Sequence, residues 1–172
     1  MKHRLKLFGI LFLGLVTAAV IYPFLHEFGH AAAAVLLGAE VLEFNMFPDP
    51  YILCNMRNLS EGRVIIVGLS GLICPVIFSG IFLRLFGGCF WNRYVSFLLR
   101  LISVLAFAIS AAAVILNHFG TPIKNDDVTQ ILYMYPDSGI MIFTLSVFLS
   151  IYLIIEIILD KPVKRCFAYF GL

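Results

Sequence analysis

Residues 7–37 read LFGILFLGLVTAAVIYPFLHEFGHAAAAVLL, an apolar run broken only by His26, Glu27 and His30. About 20 mostly apolar residues in a helix cross a hydrocarbon core of roughly 30 Å, at 1.5 Å per residue. As a helix this run would reach about 45 Å, too long for one perpendicular span. Pro23 stands three residues before His26. Its missing N–H and its ring disturb a helix. The segment is therefore predicted as a long first span, kinked at Pro23, with the polar trio in its second part. Lys2, Arg4 and Lys6 precede it, as in a secretory leader, but the run is too long for a leader's apolar core. It is expected to stay as a membrane helix.

Three more stretches are long and apolar enough to span: Val64–Phe86, Tyr94–Leu116 and Ser138–Leu159. Of the 172 residues, 62% are hydrophobic and 13% charged. Soluble domains are about half apolar and a quarter charged, so the balance fits lipid better than water. Strict alternation is absent from the spans, which argues against a membrane barrel. The expected fold class is an all-α membrane protein with about four transmembrane helices, forming one domain over residues 1–172 in the lipid bilayer. The polar stretch Glu40–Arg63 carries the turn signal Phe47-Pro48-Asp49-Pro50 between alternating segments, which leaves room for a short β-hairpin. A second polar stretch runs from His118 to Asp137.

Basic residues cluster before the first span, at Arg84 and Arg93 between the second and third, and at Lys161, Lys164 and Arg165 after the fourth. The positive-inside rule then places both termini of this multi-pass chain in the cytoplasm. A net charge of +2 and the lack of a basic run interleaved with aromatics argue against nucleic acid as a partner. Cys54, Cys74, Cys89 and Cys166 form no Cys-x-x-Cys pair and read as small hydrophobes.

His26-Glu27-Phe28-Gly29-His30 is the sharpest signal. Residues i and i+4 share a helix face about 6 Å apart along the axis, so two imidazoles there can grip one Zn²⁺. Glu27 beside them can act as general base on a zinc-bound water. Three such groups inside a span are costly unless paired, and by default they mark function. The bland alternative is a buried polar cluster that only ties helices together. Ala31-Ala32-Ala33-Ala34 follows, a small-residue face suited to close helix approach.

Catalytic zinc takes three protein ligands and keeps one position open. Candidates for the third are Asp126, Asp127, His118 and Glu156, with Glu40 and Glu43 behind them. Asp126 and Asp127 follow the third span on the side where the first span ends, so they can meet the histidines. Glu156 sits near the opposite end of its span, where it can snorkel or pair with Lys161. Asp127-Val128-Thr129-Gln130 also has the spacing of a helix capping box. Arg100, inside the third span, needs an acid or a path to the turn near Arg93.

These residues resemble the site-2 protease family of intramembrane zinc metalloproteases. That family sets HExxH in one membrane helix and draws an Asp ligand from a later one. Its Asp motif reads Asn-x-x-Pro, four residues, then Asp-Gly. Here Asn117-His118-Phe119-Gly120-Thr121-Pro122-Ile123-Lys124-Asn125-Asp126-Asp127 corresponds, and counting from Pro122 selects Asp127. Asn117 lies five residues before Pro122 rather than three, and Val128 replaces the glycine. Gly68-Leu69-Ser70-Gly71 with Pro75 is similar to the family's glycine-rich helix. The resemblance implies zinc held by His26, His30 and Asp127, with Glu27 as the catalytic base. It also implies cleavage of a transmembrane protein substrate within or near the bilayer. A catalytically inactive scaffold that binds partner proteins is the alternative. A metal transporter ranks third, since no second ionisable cluster continues a path towards the cytoplasm. The sequence leaves the oligomeric state open.

Overall fold

The computed structural model describes residues 2–162 apart from Asp49, Gly87 and Asn125, together with Lys164, Ala168 and Tyr169. Arg165 and Cys166 lie outside these residues. The first segment is helical from α1 (Lys2–Val16) through a π-helical turn (Thr17–Ile21) into α2 (Tyr22–Leu37). The irregularity expected at Pro23 is this π turn, immediately ahead of it. Pro23 offers no N–H to the carbonyl four residues back, and a wider turn accommodates that loss. The buried Thr17 hydroxyl donates to the Leu13 carbonyl at 2.7 Å within the same stretch. Gly38, at φ 91°, ends α2 in the left-handed conformation that glycine adopts without strain.

The hairpin is present as β1 (Glu40–Asn45) paired antiparallel with β2 (Tyr51–Asn55), with a register shift between Val41 and Glu43. It packs against α2. Three long helices follow: α3 (Glu61–Phe86), α4 (Phe90–His118) and α6 (Gly139–Asp160). The second polar stretch folds into a short helix, α5 (Asp127–Met134). Four helical segments, Arg4–Leu37, Glu61–Phe86, Phe90–His118 and Pro136–Asp160, are long and apolar enough to cross a membrane. This is an all-α integral membrane protein with one small hairpin.

The outside of the molecule is apolar, and polar side chains are buried among the apolar ones inside. Leu5, Phe8, Leu11, Leu36, Ile140 and Ile158 are exposed, whereas Thr17, His30, Ser79, Ser96, Arg100, Ser103 and Ser110 are buried. Lipid is as apolar as leucine, so burying apolar side chains gives little drive between membrane helices; small residues and hydrogen bonds do that work instead. Helix α3 is the most enclosed of the four spans. Its Ile65, Leu69 and Leu72 form the main core with Phe107 of α4, with Val128, Ile131 and Leu132 of α5, and with Ile142 of α6. That core fixes the depth and direction of α5.

Candidate metal centre

His26 and His30 project from one face of α2, and Asp127 stands in the first turn of α5. Asp127 Oδ2 lies 3.0 Å from His26 Nε2 and 3.3 Å from His30 Nε2, and the two Nε2 atoms are 3.2 Å apart. Three atoms with lone pairs therefore meet at one point. A single proton can serve one of these contacts, whereas one cation satisfies all three. Ligand atoms about 2.0–2.1 Å from a tetrahedral zinc stand roughly 3.3 Å from each other, so the spacing fits that ion.

The chain sets the His30 ring for this contact. His30 Nδ1 donates to the Val67 carbonyl of α3 at 2.7 Å, which leaves the Nε2 lone pair towards the cluster. Gly71 makes room for the ring: a β-carbon there would sit 2.3 Å from His30 Nε2. One turn earlier, a β-carbon on Gly68 would meet Ile131 Cδ1 of α5 at 2.5 Å. The glycine-rich segment thus admits both the His30 ring and the helix that carries Asp127. Gly29 lets α2 itself approach, since a β-carbon would lie 2.5 Å from the Ser70 carbonyl oxygen.

The two adjacent acids divide their tasks. Asp126 is the N-cap of α5, its Oδ2 accepting from the Thr129 backbone N–H at 2.9 Å and from the Thr129 hydroxyl at 3.2 Å. The capping role expected for Asp127 therefore belongs to the preceding residue, which turns Asp127 inward, free of the cap. Burial pushes the Asp126 carboxyl up, against the bonds from Thr129. Burial acts the same way on Asp127, but the His26 and His30 rings against it more than offset that and hold the carboxyl well below its usual range.

The other candidates lie elsewhere. His118 ends α4 against Phe119, and Glu43 accepts from the Tyr51 hydroxyl across the hairpin. Glu40 starts β1. Among the described residues, only His26, His30 and Asp127 group as possible metal ligands. Glu156 does not pair with Lys161 as the sequence suggested. Its Oε2 lies 3.3 Å from Arg100 Nη1, because packing of α4 on α6 brings the two together.

A cavity of about 420 Å³ opens beside the cluster, lined in part by Tyr22, His26, Glu27, Pro50, Asp126 and Asp127. Glu27 is half-buried on its wall. Tyr22 was not singled out from the sequence. Its ring stacks on His26 at 6.2 Å, and its hydroxyl is buried without a hydrogen-bond partner among the described residues. The available signal was its position four residues before His26, on the same helix face.

Residues 7–123 match the Peptidase M50B-like family. The chain belongs to that family. The M50B-like match contains the His26–His30 motif and the glycine-rich part of α3, and it stops four residues short of Asp127. M50 peptidases are generally zinc-dependent, in keeping with the donor set found here. No curated protein and no solved structure matches the chain.

Proposed function

We propose that this protein is an intramembrane zinc metallopeptidase that hydrolyses peptide bonds of transmembrane protein substrates within or near the bilayer. The observation that carries the proposal is the meeting of His26, His30 and Asp127 at 3.0–3.3 Å beside a cavity that Glu27 also lines. His26 Nε2, His30 Nε2 and an Asp127 carboxylate oxygen would hold Zn²⁺. Zinc held there supplies a Lewis acid that acidifies water and polarises a peptide carbonyl. The Glu27 carboxylate takes a proton from the attacking water and returns it to the departing amine. The Val67 carbonyl keeps the His30 proton on Nδ1, so the ring stays in the ligating tautomer.

Hydrolysis needs an extended substrate. Pro50, in the turn immediately before β2, lines the cavity, so the start of β2 lies close to the reacting groups. A substrate strand adding to the hairpin edge would be delivered to Glu27. Deleting residues 40–55 is expected to abolish cleavage and leave zinc bound; retained cleavage would remove the hairpin from the proposal. The basic clusters favour cytoplasmic termini.

The test is metal content of the detergent-purified protein, with His26→Ala, Asp127→Ala and Glu27→Gln beside it. About one zinc per chain is expected in the wild type and in Glu27→Gln, with loss in the other two. No zinc in the wild type after purification without chelators and with zinc supplied would sink the peptidase reading and favour the scaffold. Zinc kept by Asp127→Ala would remove Asp127 from the ligand set.

A further inference from the structure

A second polar centre lies within the bundle, formed by α3, α4 and α6. Arg100 is buried, its side chain 7% exposed, and Nη1 lies 3.3 Å from Glu156 Oε2. A guanidinium carries five N–H donors in a rigid fork. Glu156 is the one partner that the described residues give it, and Arg100 borders a cavity of about 190 Å³. Arg84, Ser79, Tyr152 and Glu156 border the same space. Ser79 is already engaged, its hydroxyl donating to the Val76 carbonyl at 2.8 Å. Arg84 is exposed in the last turn of α3 and has no acidic partner among the described residues.

The charges decide the ligand class. Glu156 offsets Arg100, and Arg84 leaves one positive charge over. Arg84 is exposed at the helix end, so the rim of this space is net positive and attracts an anion that brings one negative charge. Arg84 lies in the final turn of a membrane-spanning helix, where hydrocarbon gives way to headgroups. A phosphate diester carries one negative charge and two free oxygens in the geometry that arginine forks grip.

We propose that the Arg84–Arg100 cavity is a binding site for one phosphate group, occupied by the headgroup phosphate of an anionic phospholipid from the adjoining leaflet. The phosphate would lie in the space that Arg84 and Arg100 both line, where Arg84 and the Arg100 N–H groups that Glu156 leaves free can donate to it. The Glu156 carboxylate is the repulsive wall, held back by its pairing with Arg100. This site shares no residue with the metal centre, and the proposal stands whether or not the chain is a peptidase.

The test is native mass spectrometry of the detergent-purified full chain, incubated with equal amounts of phosphatidylglycerol and phosphatidylcholine. Wild type is expected to retain phosphatidylglycerol preferentially. Arg84→Gln should bind it about tenfold more weakly, the loss of one charge-assisted hydrogen bond. Arg84 is exposed at a helix end, so thermal unfolding without lipid should be unchanged. Arg100→Gln combined with Glu156→Gln removes the pair together, leaves no lone buried charge, and should weaken retention by a similar factor. Inorganic phosphate is the second probe. Phosphate that fails to displace the lipid assigns the site to the headgroup. Phosphate that displaces it, with the same dependence on Arg84, upholds the phosphate site and assigns it to the free ion. Equal phosphatidylglycerol retention by wild type and both variants, or no preference over phosphatidylcholine in the wild type together with no phosphate binding, would overturn the proposal.

Discussion

Gly71→Ala tests whether the shape of α3 governs the metal centre. A β-carbon at position 71 would stand 2.3 Å from Nε2 and 2.8 Å from Cδ2 and Cε1 of His30, where ordinary contact begins at 3.4 Å. The ring would have to retreat by about 1 Å, and it is tied by its 2.7 Å bond to the Val67 carbonyl. Overpacking of this kind costs about 1–3 kcal/mol. Loss of the Val67 bond adds about 1 kcal/mol. With about 2–4 kcal/mol charged against the ligating pose, zinc affinity should fall roughly 30- to 700-fold. The assay is zinc competition against a chromophoric chelator, with thermal unfolding followed by circular dichroism. Gly80→Ala is the control on the same helix, since nothing lies within 4 Å of a β-carbon there. It should leave zinc affinity untouched and stabilise by up to about 1 kcal/mol through helix propensity. Wild-type zinc affinity in a folded Gly71→Ala protein would refute the reasoning.

Four further outcomes follow from the same geometry. Asp127→Asn should lower zinc affinity by more than the roughly 10–100-fold typical of an outer-sphere partner, whereas Asp126→Ala should keep the metal and lose about 1 kcal/mol of stability with its cap; zinc titration and thermal unfolding separate the two. Glu27→Gln should retain zinc and reduce peptide hydrolysis by about 10²–10⁴-fold, read on a purified transmembrane substrate. Arg100→Leu should cost about 1–2 kcal/mol, since Glu156 is left unpaired but partly exposed, and Arg100→Leu with Glu156→Leu should restore most of it, as measured by denaturation in detergent. Tyr22→Phe removes a buried hydroxyl that has no hydrogen-bond partner among the described residues, so unfolding should show stability changed by less than about 1 kcal/mol with zinc content intact.

The spans were legible because lipid demands long apolar runs, and the observed helices overlap all four expected segments. The histidine pair was legible because a spacing of four is itself a statement about one helix face. Helix α5 was harder to read. It is 8 residues long and lies inside a polar stretch, and its burial comes from contacts with α3 and α4 far away in sequence. Placing its first turn one residue late gave the capping role to Asp127 instead of Asp126. The Arg100–Glu156 pair was out of reach for a related reason: nothing local to either residue names a partner on another helix. The glycines of α3 were visible as a pattern, but their purpose needed coordinates, because a glycine's value lies in what occupies the space it leaves.

That purpose ties the fold to the site. Between helices in lipid, apolar burial contributes little, so α2 and α3 depend on close approach and on hydrogen bonds. The approach occurs where Gly29 faces Ser70 and where Gly71 faces His30, and the bond is His30 to Val67. Each of these contacts either holds a proposed metal ligand or borders one. Helix α5 is positioned in the same way, by Ile131 in the gap left by Gly68, two residues on from Thr129, whose N–H the Asp126 cap accepts, and four from Asp127. A metal gripped by Asp127 and the two histidines would join α2 to α5 directly, with α3 held between them. The free energy of binding would then appear as free energy of helix association. On this argument the buried polar groups are retained because, in this solvent, they are the contacts that specify one packing of the bundle.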